Sequence, residues 1–145
     1  MATLESITLA GSFLEAPDQS NLAIEFIGDS LTAGYGNLGK PGDASPGSPL
    51  LQDGTQAYAF MAARELGADL SVIAMSGHGL VGGWKAGWNV PKAYPYTNWY
   101  RDHEESGKYD FARPSDVVVV NLGTNDWNTR NLSSVGNNIT PESFK

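Results

Sequence analysis

Ser30 is the residue in this sequence whose type and position best suit covalent chemistry. It lies in a Gly-Asp-Ser-Leu run at residues 28–31, directly after an apolar segment and before a turn that contains glycine. A serine hydroxyl attacks a carbonyl only when a base removes its proton and hydrogen-bond donors hold the oxyanion that forms. The rest of the chain must therefore supply a base and an anion-binding site.

Three apolar segments have the length and composition of β-strands, and a polar turn that contains glycine follows each of them directly. The segments cover residues 22–27, 70–75 and 117–122, and the turns read Gly-Asp-Ser-Leu, Ser-Gly-His-Gly and Gly-Thr-Asn-Asp. Strands joined by crossover connections form parallel sheets, and ligands bind beyond the carboxyl ends of such strands. The sequence therefore predicts an α/β fold with a three-layer open parallel sheet, in which the three turns meet at one edge.

The segments between these strands predict one helix and one long loop. Residues 56–66 have the pattern of a helix that Thr55 caps and Gly67 ends. Its apolar face would consist of Phe60, Met61 and Leu66. Residues 34–55 are rich in Gly, Pro and Ser and predict an irregular loop, which compact domains keep mainly where it shapes a site. The segment 117–122 is almost continuously apolar, so we expect it to be buried on both faces.

The first 21 residues are predicted to be a leading strand and a linker, outside a domain that spans residues 22–145. Residues 6–14 alternate as a short strand does, with Ile7 and Leu9 on one face. Residues 15–21 contain Pro, Asp and Ser, which are typical of a turn or linker.

Composition and charge exclude several kinds of partner and site. Of the 145 residues 41% are hydrophobic, which is enough for the core of one domain. The formal net charge of −7 argues against nucleic-acid and anionic-membrane partners. The absence of cysteine from the sequence excludes disulfides and thiolate metal sites. No apolar run is long enough to span a membrane, and the residues after Met1 lack the pattern of a signal peptide.

The three turns, taken in order, resemble the first sequence blocks of the SGNH, or GDSL, hydrolase family. The longer stretches 24–36, 76–80, 90–97 and 117–126 are most similar to carbohydrate esterase family 2, whose members remove acetyl groups from xylan and related sugars. The resemblance runs from about residue 22 to residue 145 and implies a flavodoxin-like SGNH hydrolase fold.

This resemblance implies a role for one residue in each turn. Ser30 would attack the ester carbonyl, while the backbone N–H of Gly77 and the side-chain amide of Asn125 would join the Ser30 N–H in binding the oxyanion. Each residue also has a purely structural interpretation, as a helix cap, a turn glycine, and an asparagine that bonds its own backbone. Asp29 and Asp126 are expected to brace the loops rather than to transfer protons.

A credible base for Ser30 is missing from the sequence. Family members take their base from a histidine near the carboxyl terminus, often three residues after an aspartate. This chain has only His78 and His103, and neither lies in that pattern. His78 adjoins Gly77, and His103 lies in a polar run that is typical of a solvated surface.

The last six residues, Thr-Pro-Glu-Ser-Phe-Lys, have the pattern of a helix start. Three strands are also fewer than the about five strands of a flavodoxin-like sheet. We therefore expect the chain to be the N-terminal portion of an SGNH hydrolase domain, incomplete by itself. The catalytic histidine would lie on a second chain or in a region beyond Lys145, and residues 1–21 would be the tail of a preceding β domain.

Aromatic side chains offer flat surfaces on which sugars stack. The four tryptophans are Trp84, Trp88, Trp99 and Trp127. Covering helix and sheet edges is the alternative role for most of them. Trp127 follows the Asn125 turn directly and is the candidate for contact with substrate.

Together these features predict a secreted serine esterase that removes acetyl groups from xylan-like carbohydrates through an acyl-enzyme, without a metal or an organic cofactor. Its partners would be the acetylated carbohydrate and the second chain, with no nucleic acid and no membrane. Two alternatives stay open. One is a lysophospholipase or thioesterase of the same fold that acts on lipids, and the other is a non-catalytic carbohydrate-binding module.

Overall fold

The computed structural model describes residues 6–43, 47–87, 89–96, 107–135 and 137–144. Three strands form one parallel sheet in the order β2-β1-β3. They are β1 (Ala23–Gly28), β2 (Asp69–Ala74) and β3 (Val117–Asn121). The predicted open parallel α/β sheet is therefore confirmed, with strand ends that differ by one residue from those expected.

Among the described residues, four α-helices lie between or after the strands. They are α1 (Ser30–Ala33), α2 (Tyr58–Glu65), α3 (Val90–Ala93) and α4 (Thr124–Thr129). Short 3-10 helices cover Pro49–Leu51, Gly54–Gln56, Ser133–Val135 and Pro141–Phe144. The predicted loop 34–55 therefore contains two helical turns, and the helix start expected near residue 140 is a 3-10 turn.

Helix α2 confirms the predicted helix but corrects its cap. It begins at Tyr58, and its N-cap, Ala57, makes no side-chain capping bond. The prediction that Thr55 caps it was wrong, because Thr55 belongs to the preceding 3-10 helix. There the Asp53 carboxylate accepts the Thr55 N–H at 2.9 Å. Gly67 follows the helix with a φ of +59°, the left-handed conformation in which glycine ends helices.

The helix packs through small residues rather than through its large ones. Ala59 and Ala63, one turn apart, are the buried side chains of α2. Ala59 packs with Ile24 and Phe26 of β1 in the hydrophobic core. The predicted apolar face was wrong, since its three large side chains are exposed. They are Phe60, Met61 and Leu66.

Strand β3 lies at one edge of the sheet, and its side chains are not buried as predicted. Val118 is 51% exposed and Val120 is 59% exposed. The expectation of burial on both faces was wrong because the described part of the chain does not cover these valine side chains. Among the described residues, β1 is the one strand that pairs with β3. The Asp116 carboxylate precedes β3 and accepts the N–H of Ala23 at 2.8 Å, which fixes where the β1–β3 pairing begins.

The segment before the sheet is extended and exposed. Residues 6–14 form no strand, so the predicted leading strand was wrong: its apolar alternation meets no sheet partner. Ser20 is the first residue tied to the sheet, through an N–H bond of 3.0 Å to the Asp69 carboxylate. The domain boundary after residue 21 stays a prediction.

The second face of the sheet carries a buried carboxylate. Glu25 of β1 accepts the hydroxyl of Tyr94, at the end of α3, at 2.7 Å. Burial, with the neighbouring Glu25 carboxylate, raises the pKa of Tyr94 to about 12. This bond ties the connection between β2 and β3 to the sheet.

Across the part of the chain that the structure describes, no helix has the length and hydropathy needed to cross a membrane.

Candidate active site

Ser30 is the first residue of α1 and lies two residues after Gly28, the last residue of β1. Asp29 caps this helix by accepting the Leu31 N–H at 3.0 Å, so Ser30 is not the capping side chain. Gly28 is required here because a Cβ at this position would overlap the Thr32 side chain. Ser30 is half-buried, and no side chain among the described residues hydrogen-bonds its hydroxyl. The turn therefore leaves the hydroxyl available at the sheet edge.

Gly77 follows β2 with a φ of +84°, a left-handed backbone conformation that glycine adopts without strain. Its carbonyl accepts the backbone N–H of Trp84 at 3.0 Å. An isolated antiparallel bridge between His78 and Gly83 closes the same turn. Residues 77–84 therefore form a loop that backbone hydrogen bonds close, and Gly77 is its first residue.

Asn125 lies in α4, after β3, and its amide contacts both other turns. Nδ2 donates to the His78 carbonyl at 2.8 Å and to Asp29 Oδ2 at 3.3 Å. Oδ1 accepts the indole Nε1–H of Trp84 at 3.0 Å. Asn125 is 5% exposed. The turns after the three strands therefore meet at one edge of the sheet, as the sequence predicted.

Asp126 binds the turn after β2 through three backbone bonds. Its Oδ2 accepts the Leu80 N–H at 2.8 Å, and its Oδ1 accepts the N–H groups of Val81 and Gly82 at 2.7 and 3.0 Å. The side chain is fully buried. A Cβ on Gly79 would overlap this carboxylate, so glycine is needed at that position. The expectation that Asp126 braces the loops is confirmed.

His78 is buried beside the Gly77 turn, and its Nδ1 lies 3.4 Å from the Ser76 carbonyl. Burial lowers the pKa of this imidazole below its ordinary value, because desolvation disfavours the charged form. His103 lies outside the described residues. The expectation that the base for Ser30 lies outside this chain stays a prediction.

Trp127 of α4 is 67% exposed, two residues after Asn125. The guanidinium of Arg130 lies 3.8 Å from the centre of its ring and also donates to its backbone carbonyl. Trp84, which sequence reasoning treated as a surface or sugar-stacking aromatic, instead bonds Asn125. Trp88 and Trp99 lie outside the described residues.

Asn137 is a residue of this site that no sequence signal pointed to. Its amide donates to the Gly83 carbonyl at 2.9 Å and to the Thr129 hydroxyl at 2.8 Å. Thr129 in turn donates to the Asn125 carbonyl at 2.7 Å. The bond from Asn137 to Gly83 links segments 54 residues apart, and no local pattern signals it. No cluster of three or more His, Cys, Asp or Glu side chains suited to a metal occurs among the described residues.

The parallel α/β sheet thus carries its serine, glycine and asparagine turns at one edge. Residues 26–144 match the GDSL-like lipase/acylhydrolase family, and the chain belongs to that family. The family resemblance expected from the three turns is confirmed.

Two curated relatives are similar in sequence. Cellulase/esterase CelE from Acetivibrio thermocellus is 41% identical over 124 residues, which cover 83% of this chain and 14% of the relative. Acetylxylan esterase / glucomannan deacetylase from Cellvibrio japonicus is 36% identical over 111 residues, which cover 73% of this chain and 30% of the relative. The chain thus spans less than a third of the length of each.

Solved structures of carbohydrate esterases share the fold. A family two carbohydrate esterase from Clostridium thermocellum in complex with cellohexaose is 38% identical with a TM-score of 0.68; the match covers 80% of this chain and 35% of that one. The acetyl xylan esterase Est2A from Butyrivibrio proteoclasticus is 32% identical with a TM-score of 0.68 and coverages of 83% and 34%. The predicted SGNH hydrolase fold, of which this chain carries part, is confirmed.

Proposed function

We propose that this chain supplies the nucleophile and the anion-binding site of a serine esterase that removes acetyl groups from carbohydrates. The observation that carries the proposal is the meeting of three turns, joined through the Asn125 amide, around an available Ser30 hydroxyl. The similarity to enzymes named as acetylxylan esterases supports the substrate class.

In this proposal Ser30 Oγ attacks the acetyl carbonyl carbon while a histidine takes its proton. The tetrahedral oxyanion accepts hydrogen bonds from the Ser30 N–H, the Gly77 N–H and Asn125 Nδ2. Collapse of the intermediate expels the sugar hydroxyl, which receives the proton, and leaves an acetyl group on Ser30. Water then attacks this acyl-enzyme, releases acetate and restores the serine.

The two hydrogen bonds of Asn125 Nδ2 differ in a way that suits this role. The bond to the His78 carbonyl is short, at 2.8 Å, and holds the amide in place. The contact with Asp29 Oδ2, at 3.3 Å, is long and therefore weaker. An oxyanion can compete for that second hydrogen. Loss of one oxyanion donor typically costs about 3 kcal/mol of transition-state stabilisation.

The catalytic histidine would come from a part of the protein outside this chain, as the sequence led us to expect. The matched structures are more than twice as long as this chain, since the match covers 80% of this chain but 35% of the first of them. The outer backbone edge of β3 is open to a further strand of the same sheet in the described part of the chain, and its exposed valines would be covered by the elements that such a part adds. Whether that part is a second chain or a covalent continuation is open to direct measurement by intact mass.

Labelling with a fluorophosphonate tests the proposal. We expect the complete domain, with its C-terminal part present, to be labelled at Ser30, and Ser30→Ala to lose both labelling and ester hydrolysis. A Thr32→Ser variant, altered two residues away, serves as the control for the fold of α1. Absence of labelling in the complete wild-type domain would refute the esterase proposal.

Substrate class is tested by acyl-chain length. An acetylesterase should lose activity sharply beyond acetyl or propionyl esters, whereas a lysophospholipase or thioesterase should prefer long chains. The cellohexaose complex of a similar structure favours a carbohydrate, for which the exposed Trp127 ring would be a stacking surface. Because polysaccharides such as xylan lie outside cells, we further propose that the enzyme is secreted.

A non-catalytic carbohydrate-binding role is the second candidate. One similar structure is described as an esterase active site that displays divergent catalytic and non-catalytic binding functions. A chain that binds xylan or cellulose oligosaccharides in titration calorimetry, while the complete domain stays unlabelled, would favour this role.

A further inference from the structure

Trp84 contacts both residues proposed to bind the oxyanion. Its backbone N–H donates to the Gly77 carbonyl, and its indole Nε1–H donates to Asn125 Oδ1, both at 3.0 Å. We propose that Trp84 is a positioning residue that fixes the geometry of the oxyanion site, a role that rests on the proposed function. One side chain thus joins turns that follow two different strands.

The indole bond selects one of two orientations of the Asn125 amide. An asparagine amide can rotate by 180° and exchange its acceptor oxygen for its donor nitrogen with almost no change in shape. In the observed orientation, Oδ1 faces the Trp84 N–H while Nδ2 faces the His78 carbonyl and the Asp29 carboxylate. The reverse orientation would set two acceptors against Oδ1 and two donors against each other. Trp84 therefore supports the orientation that presents N–H groups to an oxyanion.

The backbone bond restrains the residue that carries the other donor. Glycine loses more conformational freedom on folding than any other residue, and Gly77 has a φ of +84°. The Trp84 N–H holds the Gly77 carbonyl and so fixes the Gly77–His78 peptide, which adjoins the Ser76–Gly77 peptide whose N–H is the proposed donor. The His78–Gly83 bridge lies between the two residues and closes the turn.

The position of Trp84 makes this role separable from core packing. Its side chain is half-exposed, whereas Asn125 is buried. Trp84→Phe therefore removes the indole N–H and part of the ring, while the backbone N–H stays and no core cavity opens. A tryptophan that only stacked on sugar would be replaced well by phenylalanine, because the aromatic face is kept.

Amide exchange measured by NMR on the 145-residue chain tests the contact without any need for activity. We expect the indole N–H of Trp84 to exchange more slowly than that of Trp127. We also expect Trp84→Phe to move the Asn125 side-chain NH₂ signals and speed their exchange, with Trp127→Phe producing the smaller change. Equal exchange of the two indoles, or an unmoved Asn125 amide, would overturn the inference.

Kinetics of the complete domain test the role. Trp84→Phe should lower kcat on an acetyl ester about tenfold, less than the loss of a whole donor, with KM changed less than twofold. Tyr109→Phe, an exposed ring on the sheet flank, controls for aromatic substitution in general. In an Asn125→Ala background, Trp84→Phe should cause no further loss, because its effect passes through Asn125.

The outcomes separate this inference from the proposed function. A raised KM with unchanged kcat would assign Trp84 to substrate stacking and overturn the positioning role. Additive losses in the double variant would overturn it as well. A wild-type domain without esterase activity would refute the proposed function, and in that case the NMR exchange alone decides whether Trp84 orients Asn125.

Discussion

The carboxyl edge of the sheet and the outer side of β3 are opposite in their chemistry. At the carboxyl edge, polar side chains are buried and hydrogen-bonded. They are Asp29, Asn125, Asp126 and Thr129. On β3, valines that the sequence would place in a core are exposed. Buried polar groups and exposed apolar ones are each informative exceptions to the usual distribution.

This difference separates the part of the chain that satisfies its own polar groups from the part whose apolar surface stays uncovered. The turns of the candidate site satisfy one another within the chain, through bonds such as those from Asp126 to the 80–82 backbone. The apolar surface around β3 does not find comparable cover among the described residues. An exposed apolar edge strand favours pairing with another strand. The anion-binding geometry should therefore survive in this chain alone, while the sheet gains stability from an added part.

The largest effect is expected from Asp126→Ala. This variant leaves three buried N–H groups without their acceptor and should lower the free energy of unfolding by about 4 kcal/mol. Urea unfolding followed by tryptophan fluorescence measures this change. Asp126→Asn keeps one acceptor oxygen and should lose less. A loss under 1 kcal/mol for the alanine variant would show that the polar edge is not what holds the turns.

A matched pair of truncations compares the core with the β3 edge. Ile24→Ala removes a buried side chain and should cost about 3 kcal/mol. Val120→Ala removes an exposed one and should cost about 0.5 kcal/mol in this chain. If the C-terminal part docks beside β3, the cost of Val120→Ala should rise when that part is present. Equal costs with and without it would argue against docking at this edge.

A glycine pair tests how closely the turns are packed. Gly79→Ala places a methyl group against the Asp126 carboxylate and the Gly82 carbonyl, and should destabilise by about 2 kcal/mol. Gly54→Ala meets one backbone atom at an ordinary contact distance of 3.5 Å and should be nearly neutral. Thermal unfolding of the two variants gives the comparison. Similar midpoints would mean that the turn can open without cost.

The smallest effect is a pH dependence from His78. Burial lowers the pKa of His78 in the folded chain below its ordinary value of 6.5, so the unfolded chain binds the proton more strongly. Stability should be complete above about pH 6.5 and should fall as the pH drops below it. His78→Gln should flatten this slope between pH 7 and about pH 5, before carboxylates titrate. An unchanged slope in the variant would assign the acid sensitivity to other groups.

The strands and turns were predictable because their signals are local. An apolar run followed by a glycine turn fixed Ser30, Gly77 and Asn125 at strand ends, and parallel pairing then places those ends at one edge. The apolar alternation in residues 6–14 led to a wrong strand prediction because a strand also needs a neighbouring strand to pair with. Thr55 was wrongly predicted to cap α2 because Asp53, two residues earlier, caps a 3-10 helix that contains Thr55.

Long-range contacts could not be predicted in the same way. Nothing near Trp84 in the sequence indicates an acceptor 41 residues away. Which side chains of a helix become buried likewise depends on how the helix packs against the whole sheet. Phe60 and Met61 have the composition of a core face, yet the smaller Ala59 and Ala63 allow the helix to lie against β1 and leave the larger side chains outside.

The pairing of β1 with β3 also sets an order of folding. The bond between Ala23 and Asp116 closes 93 residues of chain, whereas Glu25 and Ser71 of β1 and β2 are 46 apart. Longer closures cost more entropy and form later. Asn125 arrives at the edge only with β3, so a nascent chain displays Ser30 and Gly77 before the Asn125 amide reaches them. Completion of the fold is therefore what would switch on hydrolysis.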